Sequence, residues 1–600
     1  EIVALSEVRT ISPAPRVGTR LGAATNQADD TSRAVNVRTF LNYDGSEVSV
    51  GILSDSFNDS RGGTVSAGSC ACATPGSTCT TVVDGMTDQV SGDLPVSIPI
   101  LDDCTTPSFC SSLSDEGAAI GELMFDLVPG AGFMFHSAFN SPADFAGGIT
   151  ELVHCGADLI VDDVFWTQQP FFQDGIIAQA AQDATDGGVP YFSAAGNDAT
   201  FGVDDSYVDS VPAIDDSCAG LPNGDDLHDF DGGDRFAGIT LPDGCSLYAE
   251  LQWADPFDAP LGPGAATDLD LFLLSTATAP ARTGGANILD SSTTSQGCGI
   301  PQASFGDPVE FVEHTNASGD PETVFLAVEH CCGDEGIELR IVTLSFDCGT
   351  TGAGWDFEDG EAGESTIFVD PQIFGHPAAR DVVAVAATFF GEIDSGGAQD
   401  PPAGQLDVEP FSSLGGDLPF YFDDDGDPLP MAPQLRFKPE VTGPDGGNTT
   451  FFGGDITFDP DTDPNFFGTS ASAPNVAAVA ALILDATGEN ITPPALAQLL
   501  EQATLDMETA GPDDLSGFGF VDALNAARSV DDNSAPLIDE LVFDLDGRTF
   551  LGTPSSSLQP LQAISKLTLG DGDYTGLEGL ADELIFVDGF ESGDTSAWGN

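Results

Sequence analysis

The run Gly468-Thr-Ser470-Ala-Ser-Ala-Pro474-Asn-Val-Ala opens a long apolar stretch. A serine at the start of such a helix sits among N–H groups that lack partners within the helix, at the positive end of its dipole. A developing oxyanion is stabilised there. Gly468 lets the loop approach closely, and Pro474 is tolerated in the first turn. A cap serine on a core helix is the plain alternative. A second concentration of polar groups is Ser114-Asp115-Glu116-Gly117-Ala118, which begins a helix pattern around 115–127. Glu116, Ile120, Leu123 and Leu127 share one stripe, which reads as the buried face, so Glu116 points inward. Asp115, Glu122 and Asp126 fall on another stripe, which reads as solvent-facing. Asp162 and Asp163 follow the strand-like Asp158-Leu-Ile-Val161, and alternation sends one of them toward a cleft at the strand end. A cap or loop hydrogen bond explains them equally well.

The elements that must position these residues read as strands alternating with helices. Val48–Asp55 is a short apolar strand, followed by a cysteine-bearing loop region at 60–110 and the 115–127 helix. Strand 132–136, helix 143–155, strand 158–161, helix 173–186 and strand 189–193 come next. This alternation predicts an α/β fold: a parallel sheet with helices on both faces, its site at the C-terminal ends of the strands. From about 205 to 350 it fails, and short alternating runs such as Leu247–Trp253 and Asp268–Phe272 predict an inserted antiparallel β-sandwich. It resumes with strand 382–386 and ends with helices at 470–486 and 494–504. The expected organisation is an N-terminal arm or prosegment remnant (1–40), a first domain part (41–205), the insert (206–360), a second part (361–530) and a tail (531–600).

Composition narrows the functions. The chain of 600 residues carries 98 acidic against 15 basic residues, a net charge of −83. Nucleic acid and anionic lipid both demand clustered Lys and Arg, so neither is an expected partner. Solubility at high salt, where repulsion is screened, explains the acids more simply than a set of calcium sites, although structural calcium at pairs such as Asp268 and Asp270 fits too. The 12 cysteines form no C-x-x-C knuckle, so disulfides and an oxidising compartment are expected rather than zinc knuckles. No membrane span is expected. The chain begins at Glu1, consistent with an export signal already removed. Asn316-Ala-Ser318 and Asn448-Thr-Thr450 match glycosylation sequons.

Gly468-Thr-Ser470-x-x-x-Pro474 resembles the nucleophile motif of subtilisin-like serine peptidases. Tyr191-Phe-Ser-Ala-Ala-Gly196-Asn197 resembles their segment ending in the oxyanion-hole asparagine, and Val50-Gly-Ile-Leu-Ser-Asp55 the strand carrying the catalytic aspartate. Lys438–Pro444 and Gly517–Ala523 resemble later landmarks, so the likeness covers 45–200 and 365–530. It implies a subtilisin-like fold and a secreted, monomeric endopeptidase acting on proteins or peptides through Ser470, with Asn197 in the oxyanion hole and no cofactor in the chemistry.

The departure is the histidine. None of the six is followed by glycine, and Asp115-Glu116-Gly117 stands where His-Gly-Thr is expected. A glutamate base resembles the sedolisins, although Ile120 occupies the place of their second acid and Asn197 that of their oxyanion aspartate. The resemblance thus assigns Asp55, Glu116, Ser470 and Asn197 as catalytic, with Asp162 and Asp163 lining the first substrate pocket. Glu116 and Asp55 are expected to share a proton, giving activity below neutrality unless burial raises the base. The competing reading is an inert secreted scaffold that lost the histidine. An esterase is disfavoured because no Gly-x-Ser-x-Gly surrounds Ser470.

Overall fold

The computed structural model describes residues 23–66, 81–104, 110, 113–210, 227–258, 262–278, 285–297, 306–346, 356–358, 369–393 and 406–530, with two-residue strands at 537–538, 541–542, 563–564 and 567–568. Most of the tail expected at 531–600 therefore lies outside the described residues, as do residues 1–22.

Seven parallel strands form the centre: β1 (Ser49–Ser54), β2 (Ile98–Asp102), β3 (Gly132–Ser137), β4 (Leu159–Asp162), β5 (Tyr191–Ala194), β6 (Val382–Phe389) and β7 (Val441–Asp445). Their spatial order is β2-β3-β1-β4-β5-β6-β7, extended by short strands to eleven. Such strands are covered on both faces, and their side chains divide accordingly. Val50 and Ile52, Phe133 and Phe135, and Leu159 and Val161 enter one core; Leu53, Met134 and Ile160 enter the other. The first core is closed by helices α1 (Glu116–Leu127) and α4 (Thr469–Thr487), the second by α2 (Pro142–His154) and α3 (Ile176–Asp186). From β1 the chain steps outward to β2, returns as β3, then crosses to β4 on the other side of β1. That reversal leaves a crevice at the strands' carboxyl ends beside β1 and β4.

The expected insert comprises two antiparallel sheets, one of four strands including Ser246–Trp253 and one of five including Asp268–Leu274. Trp253, Leu251, Leu269 and Leu271 pack between them. The four-stranded sheet takes in Val203–Ser206, so sandwich structure begins before residue 206.

Helix α1 corrects the stripe argument. Asp115, Glu122 and Asp126, expected in solvent, are all buried, whereas Glu116 is half-buried. Distant segments cover the face that the periodicity left open. The Glu122 carboxylate accepts from the Thr450 N–H (2.7 Å) and hydroxyl (2.6 Å), Asp126 from the Asn26 N–H (2.7 Å), and Asp115 from the Asp59 and Ser60 N–H groups (2.6 and 2.8 Å). Residues 23–41 are accordingly part of this core. The Asn26 amide donates to Leu123 O (3.0 Å) and to Asn475 Oδ1 (2.8 Å), and Arg33 pairs with Asp522.

Helix α4 is long and apolar enough to cross a membrane, which the sequence reading did not register; with nearly all its first sixteen residues buried, it serves here as a core helix. Both sequon asparagines are buried and hydrogen-bonded, Asn316 to Leu241 O and Asn448 to Asp461, which removes them as glycosylation sites in the folded chain.

Candidate active site

Asp55 follows β1 directly and is buried. Its carboxylate accepts from the Ser114 N–H (2.6 Å) and hydroxyl (2.7 Å), the Glu116 N–H (3.0 Å), and the N–H and hydroxyl of Ser56. It therefore caps the start of α1, compensating N–H groups that the helix leaves open. Asp115 enters with a positive φ of 58°, and Gly117 presses so close that an added Cβ would lie 2.4 Å from Phe135 and 2.7 Å from Ser56 O. Only glycine fits that approach.

The Glu116 carboxyl lies in hydrogen-bonding contact with Asp163, which follows β4. Burial raises Glu116 to about 7 from 4.5, the Asp55 charge adds to this, and the Asp163 contact pulls it down. Asp163 is itself held well above the usual carboxylate range, first by burial and then by the charge of Glu116. Two buried carboxyls in contact resist ionising together, which is the condition for sharing a proton. The partner expected from the sequence was Asp55, but both Asp55 oxygens are occupied by N–H and O–H donors. Asp163 thus sits against Glu116, whatever part it takes in a pocket.

Asp162 has another fate. It is buried, with Oδ1 2.9 Å from His376 Nε2 and accepting from the Ser193 hydroxyl (3.1 Å) and the Val164 N–H (3.1 Å). Strand alternation sends it away from the carboxyl cluster, so the pocket-lining reading of Asp162 is corrected. Ser193, His376 and Asp162 share a core position closed to any substrate.

On the neighbouring strand, Asn197 follows β5 and is exposed. Its amide oxygen accepts from the Thr469 N–H (2.9 Å) and hydroxyl (2.9 Å), while the Gly196 N–H donates to Thr469 Oγ1 (3.1 Å). With the oxygen so engaged, the NH₂ is free to donate elsewhere. Gly468, at φ 112°, makes this possible: a Cβ there would lie 3.3 Å from Asn197 Nδ2 and 3.6 Å from the Ser470 N. Two donors thus flank one small space at the start of α4, the arrangement an oxyanion needs. The Asp445 carboxylate at the end of β7 accepts from the Gly468 N–H (2.9 Å) and fixes the loop. Sequence reasoning missed Asp445; its place directly after Gly443-Pro444 was the available signal.

Ser470 is half-buried in the first turn of α4, and its hydroxyl makes no hydrogen bond among the described residues. The structure therefore brings together Asp55, Glu116 and Asp163 in one group, and Asn197, Gly468, Thr469 and Ser470 in another. Both groups stand at the carboxyl ends of adjacent strands β1, β4 and β5. Glu116 does not hydrogen-bond Ser470 directly; in free enzymes such bonds are often long and close only with substrate. Elsewhere, Asp268 and Asp270 are buried on one strand beside Cys331, whose sulfur is bound in a disulfide and so is no thiolate ligand.

A family model described as Subtilase family matches residues 433–519, the segment that carries Gly468, Ser470 and Pro474. No curated protein matches the chain. Solved structures similar to it include the CspB protease of Clostridium perfringens, at 13% identity and a TM-score of 0.46, covering 84% of this chain and 98% of that one. A lanthipeptide protease is 12% identical with a TM-score of 0.34, covering 84% and 94%. MycP1 from Mycobacterium smegmatis is 13% identical with a TM-score of 0.29, covering 87% and 89%.

Proposed function

We propose that this chain is a secreted serine endopeptidase that cleaves peptide bonds through an acyl-enzyme on Ser470. The match to the subtilase family over 433–519 supports the class. The observation that carries the mechanism is the carboxyl pair Glu116–Asp163 at the edge of the sheet that also presents Ser470 and Asn197. In this reading the ionised form of Glu116 takes the Ser470 proton as the hydroxyl attacks the peptide carbonyl. Asp163, protonated, donates to that carboxylate and holds its rotamer. Asp55 fixes the helix start from which Glu116 projects, and is a positioning residue rather than a proton carrier. The tetrahedral oxyanion is met by Asn197 Nδ2 and the Ser470 N–H. The leaving amine recovers the proton from Glu116, and water repeats the sequence on the acyl-enzyme. No cofactor enters these steps.

Burial lifts Glu116 to about 7, which meets the condition under which activity is expected to leave the acid range. The base is ionised only as pH rises through that value, so activity gains rather than loses between pH 6 and 8. The disulfide Cys104–Cys110 supports an oxidising compartment. The competing scaffold reading predicts an unreactive serine. Labelling with a fluorophosphonate decides between them: modification of Ser470 that is absent in Ser470→Ala supports the peptidase, and silence across pH 4–10 supports the scaffold.

A further inference from the structure

Away from the catalytic carboxyls, a second polar cluster lies between the end of β2, the end of β3 and the first turn of α2. Asp102 is the last residue of β2 and pairs across the sheet with His136 of β3. Asp144 occupies the first turn of α2, where its N–H is capped by Ser141 Oγ (3.1 Å). One ligand-type atom from each of Asp102, His136 and Asp144 lies within 4.8 Å of the others.

Three further observations point to a bound cation. The His136 ring is buried, and Nδ1 lies 2.8 Å from the Ser137 carbonyl oxygen. A carbonyl only accepts, so Nδ1 carries a hydrogen, and Nε2 is the ring nitrogen left to meet the carboxylates. A backbone carbonyl on the other ring nitrogen is the second contact typical of a metal-binding imidazole. Nε2 in turn has the exposed carboxylate of Glu151 at 3.9 Å, a further oxygen within reach. Asp144 Oδ2 is buried and has no hydrogen-bond partner, a costly state for a carboxylate oxygen. Finally, α2 carries Gly148 under the ring: a Cβ there would fall 2.5 Å from His136 Nδ1. The helix keeps a glycine where any side chain would push the imidazole out of the cluster.

We propose that Asp102, His136 and Asp144 bind one divalent transition metal of the zinc class, with an open position left for water. One imidazole nitrogen with carboxylate oxygens suits Zn²⁺, whereas Ca²⁺ takes oxygen ligands alone. The ion would tie β2, β3 and α2 together. Its effect would reach the catalytic edge through Ser137, whose hydroxyl donates to the Asp55 carbonyl (2.8 Å).

The test uses the full chain carrying Ser470→Ala to prevent self-cleavage, stripped with EDTA and held in excess Ca²⁺ to occupy hard acidic sites. Zn²⁺ is titrated against a chromogenic chelator. One tight equivalent is expected, with X-ray absorption showing nitrogen and oxygen ligands. His136→Ala and Asp144→Asn, each checked for folding by circular dichroism, should weaken it by about tenfold or more, the lower end for lost metal-site contacts. Should His136→Ala fail to fold, Asp144→Asn decides. No saturable Zn²⁺ uptake above Ca²⁺, or uptake that neither variant changes, overturns the proposal.

Discussion

Replacing Asp163 by alanine should move the pH dependence of Ser470 reactivity upward, and replacing Glu116 by glutamine should remove it. Burial and then the Asp55 charge lift Glu116 from 4.5 to about 7, while the Asp163 contact pulls it down. At 1.36 kcal/mol per pH unit, that lift is roughly 3 kcal/mol of preference for the neutral acid. A hydrogen bond to an ionised group contributes roughly 1.5–3 kcal/mol. Losing the Asp163 donor should therefore raise the midpoint by about one pH unit or more, less whatever water entering the gap returns. Asp163→Asn still offers an N–H and should keep the midpoint near that of the wild type. The assay is the second-order rate of fluorophosphonate labelling from pH 4 to 10 at constant high salt, which reports nucleophile activation without requiring a preferred substrate. Glu116→Gln should lower the plateau by about 10²–10⁴ and flatten the profile. Should Glu116→Gln keep the wild-type limb near pH 7, Glu116 is not the base. Should Asp163→Ala leave the midpoint unmoved, the carboxyl contact has no part in setting it.

Asn197→Ala should cost about 10²–10³ in kcat with little change in KM, measured on a fluorogenic peptide, since the donor acts on the oxyanion alone. Gly117→Ala drives a methyl group into Phe135 and Ser56 O, and should lower unfolding free energy by about 1–3 kcal/mol in a denaturant titration. Burial raises Glu122 to about 8 and Asp126 to about 7, above their unfolded values of about 4. The folded chain then holds the extra protons, so this stability is whole below pH 4 and is lost as pH climbs through 7–8. Tm should fall from pH 5 to 9, less steeply in Glu122→Gln; a flat profile in the wild type refutes the assignment.

The Ser470 and Asn197 segments were legible because their signals are local: a glycine, a serine and a helix start adjacent in sequence, and an amide just past a strand. The alternation of strands and helices gave the parallel sheet for the same reason. Helix α1 misled because a stripe of apolar residues states only which face packs first. The Thr450 and Asn26 contacts that bury Glu122 and Asp126 come from segments far along the chain. The Glu116–Asp163 pair was likewise out of reach. It depends on β1 and β4 being neighbours, and periodicity within one strand does not reveal its neighbour. Alternation correctly separated Asp162 from Asp163, but could not say that a histidine waited for one and a glutamate for the other.

The ties made by residues 23–41 carry a consequence for how the molecule is made. Arg33 bonds to Asp522, 489 positions later, and Asn26 reaches Asn475 across 449. These closures cannot form until residues 475 and 522 have left the ribosome, and such long-range contacts slow folding. During synthesis the part of α1 that packs on α4 therefore waits uncovered, in a polypeptide whose negative charge opposes clumping.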